Sequence, residues 1–131
     1  MITKRHKSIQ ITKFDDTKVT SALDQVAIEE PLEIQLCSET EALSAAKSIS
    51  VTMRTPGHDE DLAMGFLFTE SIIHSAEDIK SIDVVGETDQ ESGSKNIVRV
   101  SIKPSIEIDT DMLTRHFYTT SSCGVCGKAS I

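Results

Sequence analysis

The chain has 131 residues and a formal net charge of −8, from 13 Lys and Arg against 21 Asp and Glu. That acidity excludes general nucleic-acid binding, which needs broad neutralisation of phosphate, and no run of eighteen apolar residues is present to cross a membrane as a helix. Aromatic residues make up only 4% with no Trp, so the core must be aliphatic, and three cysteines, only two of them close together, argue against a disulfide framework and for a reducing cytoplasm.

Met1 to Gln10 is basic but has no apolar segment behind it, so it does not read as a secretory signal. Ser8 to Phe14 alternates, with Ile9 and Ile11 on one face, and predicts a strand ending at Asp15-Asp16. Val26 to Leu36 is strand-like on both sides of Pro31, which lacks a donor and must sit at a strand start or a bulge. Leu32, Ile34 and Leu36 share the inward face, and Cys37 reads as a buried thiol behaving as a small hydrophobe. A short helical turn is expected at Glu41 to Ala46, followed by a strand from Ile49 to Arg54 with Ile49, Val51 and Met53 on one side.

Thr55-Pro56-Gly57 breaks that strand, and His58 to Glu70 predicts a helix with Asp59, Glu60 and Asp61 in its first turn. The acidic cluster reads as support for the helix N-terminus, with Glu60 as an acid or base as the functional alternative. Apolar residues run most of the way round this helix, so burial against a sheet is expected, with Gly65 marking close backbone approach. Two further strands are predicted at Ile79 to Val85 and Ile97 to Ile102, joined by a polar loop from Gly86 to Lys95. A short helix capped by Asp109 or Asp111 should then carry Met112, Leu113, His116 and Phe117. The fold class expected is α/β, a mixed β-sheet with packed helices.

The stretch with the most chemistry is Phe117 to Lys128, where Cys123 and Cys126 stand three residues apart with a glycine after each. A helix N-terminus at this point and the charge of Lys128 would both favour thiolate, the form that does sulfur chemistry. A reactive thiol pair, half of a metal site and a pair without function all remain open on these residues. A four-thiolate site within one chain is excluded, since Cys37 is the only other cysteine. Anionic ligands would need a local positive site, for which Lys4, Arg5, Lys7, Arg54, Arg115 and Lys128 are candidates. The sequence ends at Ile131, close behind Cys126, and is therefore expected to be either a single domain or the N-terminal part of a larger one, cut after the Cys-x-x-Cys loop.

Glu29-Glu30-Pro31-Leu32-Glu33-Ile34, Met53-Arg54-Thr55-Pro56-Gly57-His58-Asp59 on through Leu67, and Phe117-Tyr118 through Ser121-Ser122-Cys123 to Lys128 together resemble the N-terminal half of the FdhD family, the sulfur-carrier accessory proteins of formate dehydrogenase. Ser71 stands where that family usually has glycine after the helix. The resemblance implies a cytidine-deaminase-like α/β fold, a cytoplasmic homodimer and a sulfurtransferase function. It implies persulfide sulfur accepted from a cysteine desulfurase on Cys123 and Cys126 and passed to the molybdenum or tungsten bis-guanine-dinucleotide cofactor of formate dehydrogenase. That cofactor would be a transient substrate; no tightly bound cofactor, metal, nucleic acid or membrane is expected.

A rival reading takes His58-Asp59-Glu60 as H-x-E and Cys123 to Cys126 as C-x-x-C, the two pieces of a zinc deaminase signature. Ser122 replaces the proline expected before the first cysteine. A non-catalytic metal-binding or partner-binding module is the third class.

Overall fold

The structure, a computed structural model, describes residues 3–42 and 45–107. Six strands and one α-helix are found among them: β1 (His6–Asp15), β2 (Lys18–Ala27), β3 (Glu30–Ser38), β4 (Lys47–Arg54), α1 (Asp59–Thr69), β5 (Ile79–Thr88) and β6 (Lys95–Ile102). A 3-10 turn, Ala76–Asp78, leads into β5. The helix expected at 109–117 lies outside the described residues.

Strands β3 to β6 form one sheet in the order β4-β3-β6-β5. β3 and β6 run parallel, so the chain must leave β3, pass through β4, α1 and β5, and return beside it. The other pairings are antiparallel, which makes the sheet mixed. Leu32, Ile34 and Leu36 alternate onto one face as expected and meet Val98, Val100 and Ile102 from β6. Ala63 and Leu67, four residues apart on α1, close over them together with Ile73. Each fully buried Leu or Ile of this cluster stabilises the fold by roughly 1.5–3 kcal/mol, so the sheet and α1 hold each other in place.

Val26 to Leu36 divides into the end of β2 and most of β3, with Pro31 at the strand start as expected, while β2 pairs along its whole length with β1 as a separate two-stranded sheet. Two expectations need correction. Ile49 and Val51 do not share a face: a register shift at Ile34/Gln35 brings Ile49 into the core beneath α1, while Val51, opposite Glu33, is buried outside that cluster. Helix α1 buries one face only. Leu62 and Phe68 are exposed, and a Cβ at Gly65 would meet nothing within 4 Å, so that glycine marks no close approach. Within the short helical turn expected at Glu41 to Ala46, Ala45 is in a 3-10 conformation and its N–H donates to the Ala42 carbonyl at 2.8 Å; residues 43–44 fall outside the described residues.

α1 ends in a Schellman arrangement: the Ser71 N–H donates to the Phe68 carbonyl and the Ile72 N–H to that of Leu67. The motif places Ser71 at φ 61°, a left-handed conformation that L residues hold at a cost of roughly 1–2 kcal/mol. Ser71→Gly is therefore expected to raise stability by about 1 kcal/mol in urea denaturation, and a neutral or destabilising result would contradict this account of the helix end.

Candidate functional site

The sequence places its functional weight on Cys123 and Cys126, and these, with Arg115, His116 and Lys128, fall within 108–131, outside the described residues. The third thiol is described. Cys37 is 1% exposed, with its Sγ 3.1 Å from Ser101 Oγ and 3.8 Å from the Val100 carbonyl. It is enclosed on β3 as expected and has no route to a bulky reaction partner.

The chemistry-bearing residues that the structure does assemble lie where β4 turns into α1. Thr55-Pro56-Gly57 reverses the chain with Gly57 at φ 121°, and a side chain there would press against the guanidinium arm of Arg5, 3.2 Å from a Cβ. Arg5 Nε donates to the Pro56 carbonyl at 3.3 Å, which pins the turn from outside. His58 then stands at the N-cap of α1 without a side-chain cap bond.

Arg54 was one of the candidate anion sites. It is occupied instead. Its side chain is 4% exposed, with Nε and Nη2 donating to the two Asp59 carboxylate oxygens at 2.8 and 2.9 Å. Nη1 reaches Glu30 Oε2 at 3.3 Å, and Nη2 also donates to the Lys95 carbonyl at 2.8 Å. One guanidinium thus ties together β3, β4, α1 and β6, using the planar fork that only arginine offers. Asp59 does more than favour a helix N-terminus, since it anchors α1 to the sheet. Glu60 and Asp61 are exposed, and His58 Nδ1 lies 3.5 Å from Asp61 Oδ2 at the surface.

From Glu30 the network continues into the β5–β6 turn. Ser94 Oγ donates to Glu30 Oε2 at 2.6 Å, Ser92 and Ser94 hydroxyls are 2.7 Å apart, and Asp89 Oδ1 accepts from the Ser92 and Glu91 N–H groups. These bonds, the Ser92 N–H first, hold the Asp89 carboxyl below its ordinary pKa. The sign follows from linkage. A carboxyl depressed in the folded state contributes stability above its unfolded pKa, and loses it as pH falls through the folded value. Asp89→Asn is expected to flatten the acid side of the stability profile below about pH 4, as read by thermal melts. An unchanged acid slope would contradict that role.

Beside this network lies an open cleft of about 510 Å³, bounded by Gly57, His58, Glu60, Thr88, Ser94 and Lys95 among others. Its size falls in the range of small-molecule sites, and with Asp59, Glu60 and Asp61 against Lys95 its walls are mainly acidic. Among the described residues no three His, Cys, Asp or Glu side chains are placed to hold a metal ion. His58 and Glu60 are thus described here as surface residues of the α1 N-terminus, and the cysteine half of the deaminase pattern lies outside the described residues. The Arg54 network was missed because sequence shows Arg54, Asp59 and Glu30 only as charges; the β3–β4 register that brings Glu30 opposite Arg54 is a tertiary fact. The five-residue spacing of Arg54 and Asp59 across a Pro-Gly turn was the one available signal.

Comparison with known proteins points in one direction. The sequence pattern of the FdhD/NarQ family matches residues 27–131. The chain is 40% identical over 131 residues to a Streptomyces coelicolor protein named sulfur carrier protein FdhD, covering 99% of this chain and 43% of that protein. A Mycolicibacterium paratuberculosis protein of the same name is 43% identical over 109 residues, covering 82% and 37%. One from Thermoplasma volcanium is 40% identical over 129 residues, covering 96% and 42%. The chain therefore spans less than half the length of these relatives. A crystal structure described as a candidate formate dehydrogenase accessory protein from Desulfotalea psychrophila superposes with a TM-score of 0.57 at 22% identity, over 76% of this chain and 38% of that one. At that identity the likeness speaks for the fold, a mixed-sheet α/β arrangement.

Proposed function

Because the chain belongs to the FdhD/NarQ family, we propose that it acts in sulfur transfer, accepting persulfide sulfur from a cysteine desulfurase on the Cys123 and Cys126 pair. The sulfur then goes to the molybdenum or tungsten bis-guanine-dinucleotide cofactor required by formate dehydrogenase. The cofactor is substrate here, and the working unit is a cytoplasmic homodimer with a cytidine-deaminase-like fold. The observation that carries this reading is the extent of the family match, 27–131, which includes both cysteines. The burial of Cys37 supports it from the other side, by leaving the pair to do the chemistry.

In loading, a thiolate of the pair attacks the outer sulfur of the donor persulfide. The donor S–S bond breaks, the donor leaves as a thiolate, and a persulfide forms on this chain with no net oxidation. In delivery, the neighbouring thiolate attacks the sulfur atom of the persulfide-bearing cysteine, releasing the outer sulfur to the acceptor at the sulfide level. A Cys123–Cys126 disulfide remains, and a dithiol reductant returns it to two thiols.

Among the described residues no helix is long and apolar enough to cross a membrane. The test of the site is alkylation with mass mapping under native conditions: Cys123 or Cys126 should react well before Cys37, whose labelling should wait for unfolding. Reaction of Cys37 first would overturn the assignment.

A further inference from the structure

Residues 3–5 belong to no strand or helix and run from the cleft beside α1 to the start of β1. Thr3 forms part of the cleft wall. The Lys4 N–H donates to the Ser92 carbonyl at 2.8 Å, on the β5–β6 turn. Arg5 Nε donates to the Pro56 carbonyl at 3.3 Å, on the turn into α1, and its arm occupies the space that a side chain at Gly57 would need. One short segment thus ties together the two turns that supply the cleft walls. The basic residues near the start of the chain, candidates for an anion site, are used as fastenings: Arg5 in this way, and Lys7 through its ion pair with Glu91 at 3.2 Å.

The two ends of the segment are held unequally. At one end the Arg5 carbonyl accepts from the N–H of Ile28 at 2.9 Å, and Ile28 is buried. Toward Thr3 the fastenings are the single backbone bond from Lys4 and the side-chain bond from Arg5, both on exposed residues, and none of residues 3–5 joins the hydrophobic core. Surface bonds of this kind open locally, at far smaller cost than the ladder bonds of the inner strands β3 and β6. Neither of them belongs to the sheet, to α1 or to the contacts of Arg54. Behind the segment lies Val84, which stands opposite Val98 on β6 and lines the cleft from β5.

We propose that residues 3–5 are a strap on this cleft. The strap pivots at the bond between Arg5 and Ile28, and parting its bonds to Ser92 and Pro56 clears the way to Val84 while the rest of the fold stays intact. It thereby sets how large a molecule the cleft admits. The need for glycine at position 57 belongs to the same device, since a Cβ there would stand 3.2 Å from Arg5 Nε and push the arm off its seat.

The test uses the whole chain carrying Val84→Cys, with fluorescein maleimide as a bulky probe and the labelled positions mapped by mass spectrometry. Buried Cys37 reports on the integrity of the fold in the same molecule. With Val84→Cys alone, position 84 should label slowly. Adding Arg5→Ala should raise that rate roughly fivefold, the effect of one lost surface hydrogen bond on the opening equilibrium. Adding Arg5→Lys instead, whose ammonium can still donate to the Pro56 carbonyl, should give a rate between the two, and Cys37 should stay unlabelled in all three. Equal rates at position 84 in the three chains, or labelling of Cys37 that rises in step with it, would overturn the strap. Amide hydrogen exchange in the unaltered chain supplies a second readout: the Lys4 amide should exchange at least about 100-fold faster than the amides of β3 and β6, because it opens without them. A Lys4 amide as protected as those would equally contradict the proposal.

Discussion

Replacing Arg54 by methionine is expected to destabilise the fold by about 3–5 kcal/mol, a large part of the stability of a domain this size. The reason is the company the guanidinium keeps. Asp59 and Glu30 side chains are only 10% and 12% exposed, and both lose their counter-charge when Arg54 is removed. Two carboxylates would be left in a site where water reaches them poorly, and the Lys95 carbonyl would lose its donor. Arg54→Lys keeps the charge but cannot make the two-pronged contact to Asp59, so an intermediate loss of roughly 1–3 kcal/mol is expected. Converting Glu30 and Asp59 to leucine together with Arg54→Met should recover much of the deficit, since the uncompensated carboxylates carry most of the cost. Urea denaturation reads all three. A loss below about 1 kcal/mol for Arg54→Met would mean that the cluster behaves as an ordinary solvated surface.

The parts of the fold that sequence made legible are those set by periodicity. Leu32, Ile34 and Leu36 on β3, and Val98, Val100 and Ile102 on β6, alternate cleanly because one face of each strand lies against α1. Helix α1 was bounded within a residue or so by the Pro-Gly turn before it and the acidic first turn inside it. β2 escaped because no Asn-Gly or Asp-Gly turn marks the reversal at Asp16-Thr17, and because its Thr, Ser and Asp residues cover no core and so carry no apolar stripe. The Ile49 side assignment failed at a bulge, which inserts a residue and flips the parity that alternation relies on. Gly65 misled for a simpler reason: a small residue on a helix can sit on the open side as readily as on the packed one. Of the candidate site, the buried character of Cys37 was legible from its place at the end of an apolar strand. The clamp formed by Arg54 was not, because it depends on which strands become neighbours.

On the proposed function, removing the Cys123 and Cys126 thiols together should have the largest functional effect. Cys123→Ala with Cys126→Ala leaves no thiolate able to receive the donor's outer sulfur, so persulfide loading should fall to background while the fold, built on the β3–β6 sheet and α1, is retained. Cys37→Ala should leave loading unchanged, at a modest cost in packing from the small space left beside Ser101. On the proposed function the two single variants should separate roles: replacing the thiol that receives sulfur should abolish loading, and replacing its neighbour should leave loading and impair release.

The most direct measurement is to incubate the chain with a cysteine desulfurase and cysteine labelled in its sulfur, and then to map the label by mass spectrometry without reduction. Label on Cys123 or Cys126, absent from Cys37 and lost on reduction with a thiol, is the predicted result. Label on neither residue of the pair, in a chain that remains folded, would contradict the sulfur-carrier account.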